Sequence, residues 1–433
     1  MFTPLAVLIW LFFLLVFLRI EIGFALLLTS LVVLLQLDLP LESLANQILQ
    51  GIDNFPLLAV PLFLLLGRIV EAGGITDRLL AVANAVIGRL RGALGHANVV
   101  SSMGFGAISG SAVSDVVSIG AMMIPAMKKA GYPAGYAAAI TACSAILGVV
   151  IPPSIVMIIY GAVGQISVGA LLIAGIVPGV AIGLAQMGYN HLLAVRNDWP
   201  RGAPMRLRAR GGAVVRGLPV LFIPVLVLGG VTGGFVTPTE AAIVAVLWAA
   251  LLAIGAYGTI HLRDVPNMLG ESAVAFSIPM FIVGASGIYG WLVAYLGAGP
   301  AVASFLLGIT DSYWGLMLLL VAFLIVIGIP LNPIPSVLIF LPVIQAVGNA
   351  AGAHPIQVGV ITVIVLAIGL LTPPLSICLL IAAQIAEVQE LHAFRHALPI
   401  IGICLMVVLL LIAVPEIVLF LPRLAFPEVF LNG

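Results

Sequence analysis

The chain has 433 residues, of which 63% are hydrophobic and 7% are charged, and its mean hydropathy is +1.30. A soluble domain carries about 25% charged residues, so this composition excludes one. The 16 basic and 16 acidic residues balance, so the overall charge gives no attraction for nucleic acid. The composition predicts an integral membrane protein embedded in the lipid bilayer.

Apolar runs recur along the whole chain. They measure about 17 to 25 residues, long enough as helices to cross a hydrocarbon core of about 30 Å, and they lack the alternation of outer-membrane strands. The first run, 4–18, has no basic region before it and no small-residue cleavage site after it, which favours a first helix over a signal peptide. The predicted fold class is an all-α polytopic membrane protein with about ten spanning helices.

Arginine and lysine residues orient the predicted helices. Residues 196–216 form the longest polar stretch and carry six arginines. The positive-inside rule assigns this predicted loop to the cytoplasm and both chain termini to the opposite side. The other basic residues assigned to the cytoplasmic side are Arg19, Arg78, Arg89, Arg91, Lys128, Lys129, Arg263 and Arg395.

Two segments must enter the membrane and return to the same side. The first covers about 95–129 and has a small, polar centre at 104–115. The second covers about 312–352, with G328-I-P-L-N-P-I-P-S336 at its centre. At a rise of about 1.5 Å per residue, each half reaches roughly the middle of the bilayer. We therefore predict two re-entrant helical hairpins.

Two further apolar segments are each interrupted by a double proline. Pro152-Pro153 interrupts a predicted helix at about 134–166, and Pro373-Pro374 interrupts one at about 355–386. Irregular backbone at membrane depth is tolerated only where protein or a water-filled cavity satisfies its polar groups. We therefore expect both proline-broken helices and both hairpin tips to converge on one solvated site.

The spacing of these glycines and prolines indicates an internal duplication. An odd number of crossings in each half would turn the second half upside down, which is an inverted-topology repeat. The predicted halves are 1–216 and 217–433, with interfacial connectors at 78–91 and about 299–310. The pairs separated by 221 residues are Gly148 and Gly369, Pro152 and Pro373, Pro153 and Pro374, and Pro178 and Pro399.

Helix ends at mid-membrane predict an ion site in each half. Free carbonyls at a helix end suit Na⁺, free N–H groups suit a carboxylate, and hard oxygen ligands favour an alkali cation as the only metal. An anionic substrate would then lie between the two hairpin tips. The first predicted Na⁺ site comprises Ser109, Gly110, Ser111, Ser114, Asp115, Gly148, Pro152, Pro153 and Ser154. The second comprises Gly328, Pro330, Asn332, Pro333, Ser336, Gly369, Thr372, Pro373, Pro374 and Ser376.

The ionisable residues near these segments have alternative explanations. Asp115 is either a cation ligand or a simple cap of the returning half-helix. Glu240 follows an X-Pro turn and is expected to be a structural acid in a first helical turn. Arg68 and Glu71 lie near a predicted cytoplasmic helix end, where we expect them to snorkel or to pair rather than to act in transport.

Several motifs together resemble one family, the large membrane subunit of tripartite ATP-independent periplasmic (TRAP) transporters. They are 104–120, M123-I-P-A-M127, I151-P-P-S154, G233-G-F-V-T-P-T-E-A-A242 and L370-L-T-P-P-L375, and the likeness covers essentially the whole chain. The resemblance implies a non-enzymatic, Na⁺-driven importer of organic acids in the bacterial inner membrane, with periplasmic termini and no cofactor besides the coupling ion. It also implies an elevator mechanism, a separate small four-helix membrane subunit and a periplasmic substrate-binding protein.

Three other functions remain open at this point. A self-sufficient Na⁺/carboxylate symporter would need no binding protein, and uptake by the chain alone would reveal it. An intramembrane hydrolase would use Ser109 as its nucleophile, although no histidine has an evident reason to face this serine. A passive channel would show single-channel currents.

Overall fold

A computed structural model describes residues 3–202 and 207–431 of the chain. Within these ranges the regular structure is helical, apart from an isolated antiparallel bridge between Arg91 and Arg201. Eight described helical segments are long and apolar enough to cross a membrane, and six further apolar helices are shorter. The all-α polytopic class is therefore confirmed. Proline and glycine breaks divide several apolar runs, so fewer long spans result than the roughly ten that the sequence predicts.

Five helices precede the first hairpin. They are α1 (Pro4–Phe17), α2 (Ile22–Gln36), α3 (Glu42–Ile52), α4 (Ala59–Ala72) and α5 (Ile75–Ile87). α1 begins after Thr3, whose hydroxyl accepts a hydrogen bond from the Ala6 N–H at 3.3 Å. Two glycines separate α4 from α5, and Gly74 has a φ of 64°, which favours glycine. α5 corresponds to the predicted connector at 78–91.

The predicted first hairpin and first broken helix follow α5. α6 (Ala93–Ser109) and α7 (Ala112–Lys129) are joined by two residues and pack against each other. The next segment is divided into α8 (Ala134–Ala145), α9 (Leu147–Val150) and α10 (Ile155–Val163). The break between α9 and α10 contains the double proline, and its Pro152–Pro153 peptide bond is cis.

Six described helices lie between the first broken helix and the second hairpin. They are α11 (Val168–Ala174), α12 (Ile176–Arg196), α13 (Leu207–Thr232), α14 (Pro238–Ala250), α15 (Val265–Tyr295) and α16 (Ala298–Leu307). α14 continues into a π-helical turn at Leu251–Ala256, and a 3-10 turn at Leu262–Asp264 precedes α15. α16 corresponds to the predicted connector at 299–310.

The basic loop predicted over 196–216 is shorter in the structure. α12 ends at Arg196 and α13 already begins at Leu207, while residues 203–206 lie outside the described ranges. No proline follows Leu207 until Pro219, so nothing prevents the apolar helix from extending backwards through the arginines at 208, 210 and 216. Half of the expected loop is therefore a basic helical extension.

The helices of the predicted second hairpin and second broken helix have boundaries close to the predicted ones. The hairpin is α17 (Tyr313–Gly328) and α18 (Pro333–Ala350), and the broken helix is α19 (Pro355–Gly369) and α20 (Ile377–Ala386). The break between them contains a second cis peptide bond, Pro373–Pro374. The chain continues through α21 (Glu390–Ala413), α22 (Glu416–Ala425) and α23 (Glu428–Leu431).

We distinguish two groups of helices, which also contact each other through α15 and α18 and through α4 and α6. In the outer group, α15 packs on α2, α3 and α4, while α13 and α14 pack on α5 and α4. In the inner group, α8 contacts α6, α7, α20 and α21, and α19 contacts α17, α18 and α21. In the inner group, an apolar 18-residue stretch of 134–163 is entirely buried. In the outer group, 28% of the corresponding stretch of 208–232 is buried. The broken helices therefore lie in the centre of the protein.

Candidate functional site

The tip of the first hairpin is two residues long. Gly110 has a φ of 65°, a conformation that favours glycine, and Ser111 caps α7 by accepting a hydrogen bond from the Ser114 N–H at 3.4 Å. The Ser109 hydroxyl in turn accepts from the Ser111 N–H at 3.4 Å. Two of the predicted site hydroxyls therefore hold the turn in shape.

Glycines allow this tip to lie directly against the first break. A Cβ added at Gly110 would lie 2.6 Å from the Pro153 carbonyl oxygen, and one at Gly106 would lie 2.5 Å from Cα of Gly148. No side chain fits at such separations from a neighbouring backbone, so both positions require glycine. The structure thus brings predicted residues of the hairpin and the broken helix together.

The first break is closed on itself by Ser154. Its hydroxyl accepts from the Met157 N–H at 3.2 Å, which caps α10, and donates to the Val149 carbonyl in α9. The side chain is fully buried between the two helix ends. Ser154 therefore holds the two half-helices together, which leaves the remaining backbone groups of the break to provide any ligands.

Asp115 is buried in a polar cluster behind the tip. Its Oδ1 accepts a hydrogen bond from the Ser102 hydroxyl at 2.9 Å, and that hydroxyl lies 3.0 Å from the Ser144 hydroxyl. Its Oδ2 has no hydrogen-bond partner among the described residues. Because Ser111 is the cap of α7, Asp115 is not, and one of its oxygens can accept a cation or a proton. The cluster continues to Asn98 and Thr141.

At the tip of the second hairpin, no side chain of the described residues caps the returning helix α18. Asn332 precedes α18, but its side chain makes no capping hydrogen bond and is exposed. The buried Ser336 hydroxyl donates to the Asn332 carbonyl at 2.9 Å, and Pro330 in the turn is partly buried. The amide of Asn332 is therefore available as a ligand, whereas Ser336 is engaged within its own helix.

The second break has a glycine contact with its hairpin, and its two side-chain hydrogen bonds lie at either end of the break and do not cross it. A Cβ at Gly369 would overlap the Gly328 carbonyl oxygen, so the hairpin and the break again meet backbone to backbone. Thr372 donates to the Ile368 carbonyl at 3.2 Å, and the buried Ser376 hydroxyl donates to the Glu390 carboxylate. Pro374 is exposed and Pro373 partly buried.

A cavity of about 230 Å³ joins all four elements. The first turns of α7, α10, α18 and α20 all contribute to its wall, so four helix N-termini converge on it. Ser111 and Asn332 supply the only polar side chains of the lining, and no ionisable side chain is among them. The contributions from the two tips and the two breaks are Gly110, Ser111, Ala112, Val113, Val149, Ile155, Val156, Asn332, Pro333, Ile334, Leu370 and Ile377.

A second cavity of about 250 Å³ adjoins the first, and both are lined by Leu64, Ser111 and Val113. We call it the side cavity; it lies between α4 and α15 of the outer group and the tip of the first hairpin. Arg68 and Glu71, which we expected to snorkel or to pair, both line it. Its polar lining is completed by Ser109, Ser114 and Ser272.

The sequence analysis missed two residues that build the first site. Gly106 allows the contact with Gly148, and Ser102 holds Asp115. A signal for the glycine exists in the sequence, since Gly106 precedes Gly328 by 222 residues, almost the 221 that separate Gly148 from Gly369. Nothing comparable marks Ser102, because its role depends on which face of α6 turns towards α7.

Interrupted membrane helices around a cavity define a class of multi-pass membrane proteins that bind their ligand where the helices break. The family model for the tripartite ATP-independent periplasmic transporter, DctM component, matches residues 8–417 of this chain. The chain therefore belongs to the DctM family of TRAP transporter large permeases. It is a membrane transport protein and not an enzyme, as the sequence predicts.

Three relatives illustrate the family. The sialic acid TRAP transporter large permease protein SiaM of Vibrio cholerae is 33% identical over 412 residues, which are 95% of this chain and 96% of that protein. The C4-dicarboxylate TRAP transporter large permease protein DctM of Pseudomonas aeruginosa is 33% identical over 382 residues, 88% of this chain and 90% of that protein. The isethionate TRAP transporter permease protein DctMQ of Oleidesulfovibrio alaskensis is 32% identical over 384 residues, 88% of this chain and 60% of that protein.

Proposed function

We propose that this permease imports an organic anion across the bacterial inner membrane together with Na⁺. The observation that supports the proposal is the cavity of about 230 Å³, which we call the central cavity. Both hairpin tips and both helix breaks converge on it. The three relatives are named for sialic acid, C4-dicarboxylates and isethionate, all of which are organic anions at neutral pH. An anionic cargo is therefore the common chemistry.

The helix termini account for both the anion and the cation. Each helix N-terminus carries about half a positive charge, so the four N-termini around the cavity favour an anion without any basic side chain in the wall. α9 and α19 end beside the same cavity, and their free carbonyls carry the opposite partial charge. Backbone carbonyls and the hydroxyl and amide side chains are ligands suited to Na⁺.

The proposed Na⁺ sites are those predicted from the sequence, one at each hairpin and break. Several of their hydroxyls already donate hydrogen bonds within the chain, so backbone carbonyls would supply many of the ligands. In the first site, Asp115 is the ionisable residue, and its oxygen without a hydrogen-bond partner among the described residues can respond to the cation. The cargo would lie between the tips, next to Ser111 and Asn332.

We further propose that the two halves form an inverted repeat and move as an elevator. The first and second hairpins are each followed by a broken helix, and proline lies inside the second helix of each hairpin, at Pro125 and Pro342. The inner group would carry the cargo, and the outer group would stay fixed in the bilayer. The positive-inside rule, applied to the basic segments, supports a periplasmic position for both termini.

Two partners complete the proposed system. A periplasmic binding protein would deliver the anion, and a small four-helix membrane subunit would attach to the outer group. The DctMQ relative supports the second partner, because this chain covers only 60% of it and a further segment is fused there. Moving one charge across 100 mV involves about 2.3 kcal/mol, so a dianion needs at least two Na⁺ for balance and a third for electrogenic uptake.

Proteoliposomes test the proposal. The chain is reconstituted with its small subunit, supplied with its binding protein, and assayed with radiolabelled succinate, N-acetylneuraminate and isethionate. Uptake of at least one anion is expected with an inward Na⁺ gradient, and replacement of Na⁺ by K⁺ should abolish it. Undiminished uptake without Na⁺ would contradict the coupling, and Na⁺-driven uptake without the binding protein would favour the self-sufficient symporter.

A further inference from the structure

Among the described residues, Arg68 is the one basic residue that lines either of the two adjoining cavities, and it lies in the side cavity. Arg68 lies on α4, four residues before its end, and makes no hydrogen bond or ion pair with another described residue. At about 1.5 Å per residue it is about 6 Å from the helix end. The side chain is exposed, as that of a snorkelling arginine is, but it also lines the side cavity together with Ser109 and Ser114 of the first hairpin.

A second feature of the side cavity also indicates a ligand. Ser272 on α15 is 5% exposed, and its hydroxyl has no hydrogen-bond partner among the described residues. A buried hydroxyl without a partner costs free energy unless a ligand or water occupies the adjoining space. The side cavity therefore has a free cation and a free hydroxyl on the outer group, with Ser109 and Ser114 opposite them.

We propose that Arg68 binds the oxyanion group of the cargo in the side cavity, on its route between the central cavity and the cytoplasm. This inference rests on the proposed function and adds a binding residue to it. The planar guanidinium can hold a carboxylate or a sulfonate through two parallel hydrogen bonds, which matches the range of anions named for the relatives. Leu64, Ser111 and Val113 join the two cavities, so the cargo can pass directly between them.

Glu71 gives Arg68 a second possible partner. It lies three residues later on the same face of α4 and lines the same cavity, yet the two side chains form no ion pair in this structure. A carboxylate here repels an anionic cargo and attracts the guanidinium. Pairing of Arg68 with Glu71 would therefore compensate the arginine when the anion leaves, and it would favour release.

A cysteine reporter tests this binding directly. Ala275 lines the side cavity and is partly exposed, while the native residues Cys143, Cys378 and Cys404 are fully buried, so Ala275→Cys gives one reactive thiol. The rate of labelling by a methanethiosulfonate reagent is measured against succinate, N-acetylneuraminate or isethionate with Na⁺ present. At least one of these anions should slow labelling saturably. Val117→Cys, exposed on the opposite wall, is the second reporter.

Three charge variants decide the role of Arg68. Arg68→Gln is added to the Ala275→Cys reporter. It should raise the anion concentration that halves the labelling rate about 10- to 100-fold, because a hydrogen bond to a charged group is lost. Arg68→Lys should give an intermediate concentration, since lysine keeps the positive charge but cannot form the two parallel hydrogen bonds of the planar guanidinium. Glu71→Gln should lower the value. Arg89→Gln is the control, because Arg89 is exposed and lines neither cavity.

The outcomes separate this inference from the proposed function. Unchanged protection in Arg68→Gln, or no protection by an anion that the same preparation takes up in proteoliposomes, overturns the role of Arg68 and leaves the transport proposal standing. Absence of both Na⁺-driven uptake and protection overturns the transport proposal and the inference with it. A weaker protection in Arg68→Gln, with Arg89→Gln unchanged, supports both.

Discussion

The two hairpin-and-break units have similar backbones but different side chains. In the first unit, Ser102, Asp115 and Ser144 form a fully buried polar cluster that includes an acid. In the second, residues 313–386 contain no acidic residue, and the polar side chain at the tip, Asn332, is exposed. A glycine contact joins hairpin to break in both. The comparison teaches that backbone approach is the shared requirement, whereas a fully buried acid is specific to the first unit, since the second break contacts only the partly buried Glu390, which follows it.

The largest expected effect comes from adding a methyl group to a glycine at the contact between hairpin and break. Gly106→Ala places Cβ 2.5 Å from Cα of Gly148, while the control Gly104→Ala on the same helix makes an ordinary 3.5 Å contact with Leu79. Overpacking of this kind costs about 1–3 kcal/mol and displaces the tip. Uptake should fall to background for Gly106→Ala and stay near wild type for Gly104→Ala.

The second unit gives the matching pair of variants. Gly369→Ala overlaps the Gly328 carbonyl, whereas Gly402→Ala, in α21, has no neighbouring atom within 4 Å. If the backbone contact is the shared requirement, Gly369→Ala should abolish uptake as Gly106→Ala does. Normal uptake by either tight variant would break the equivalence of the two units.

The next largest effect is expected from removing the acid that distinguishes the first unit from the second. Asp115→Asn keeps an oxygen for the Ser102 hydrogen bond but removes the negative charge from the first site. The Na⁺ concentration for half-maximal uptake should rise at least about tenfold, which corresponds to about 1.4 kcal/mol. Glu390→Gln, which contacts Ser376 at the edge of the second break, should change it less. Equal effects of the two variants would contradict the assignment of charge to the first unit.

A smaller effect separates hydrogen-bonded from unbonded serines within α6. Ser102→Ala removes a donor to a buried carboxylate, which should cost about 1.5–3 kcal/mol in stability. Ser101→Ala changes the adjacent buried residue, whose hydroxyl has no partner among the described residues, so it should cost little. Thermal unfolding of the purified variants measures the difference. A melting temperature lowered equally by both changes would contradict the cluster.

The smallest effect is expected outside both units. Thr237 and Glu240 form a capping box at the start of α14, which confirms the structural role predicted for Glu240. Thr237→Ala should cost about 1 kcal/mol of stability, and Thr237→Ser should restore most of it. The Na⁺ dependence of uptake should not change in either variant, because the cap belongs to the outer group.

Local signals predicted the helix boundaries well. Small residues, prolines and flanking charges gave the predicted hairpins bounds of about 95–129 and about 312–352, and the helix pairs in these segments cover 93–129 and 313–350 in the structure. Such residues act on their own segment, so one sequence suffices to locate them. The basic segment was less predictable, because nothing at Leu207 marks the start of a helix.

Side-chain roles were harder to predict than helix boundaries. Asp115 was identified, yet its partner Ser102 was not, since helix rotation decides which residues meet. Arg68 was expected to snorkel or pair, because its distance from the helix end was visible in the sequence and the cavity beside it was not. The contacts between segments distant in sequence supply what the local pattern lacks.

The central claim is that each hairpin and break forms a Na⁺ site. Equilibrium binding of ²²Na⁺ to the purified chain tests it most directly. The account predicts saturable binding of at least two Na⁺. Gly106→Ala should abolish binding at the first site, Gly369→Ala should abolish binding at the second site, and the double variant should bind no Na⁺. Binding that does not saturate, or that is the same in the wild type and in both variants, would contradict it.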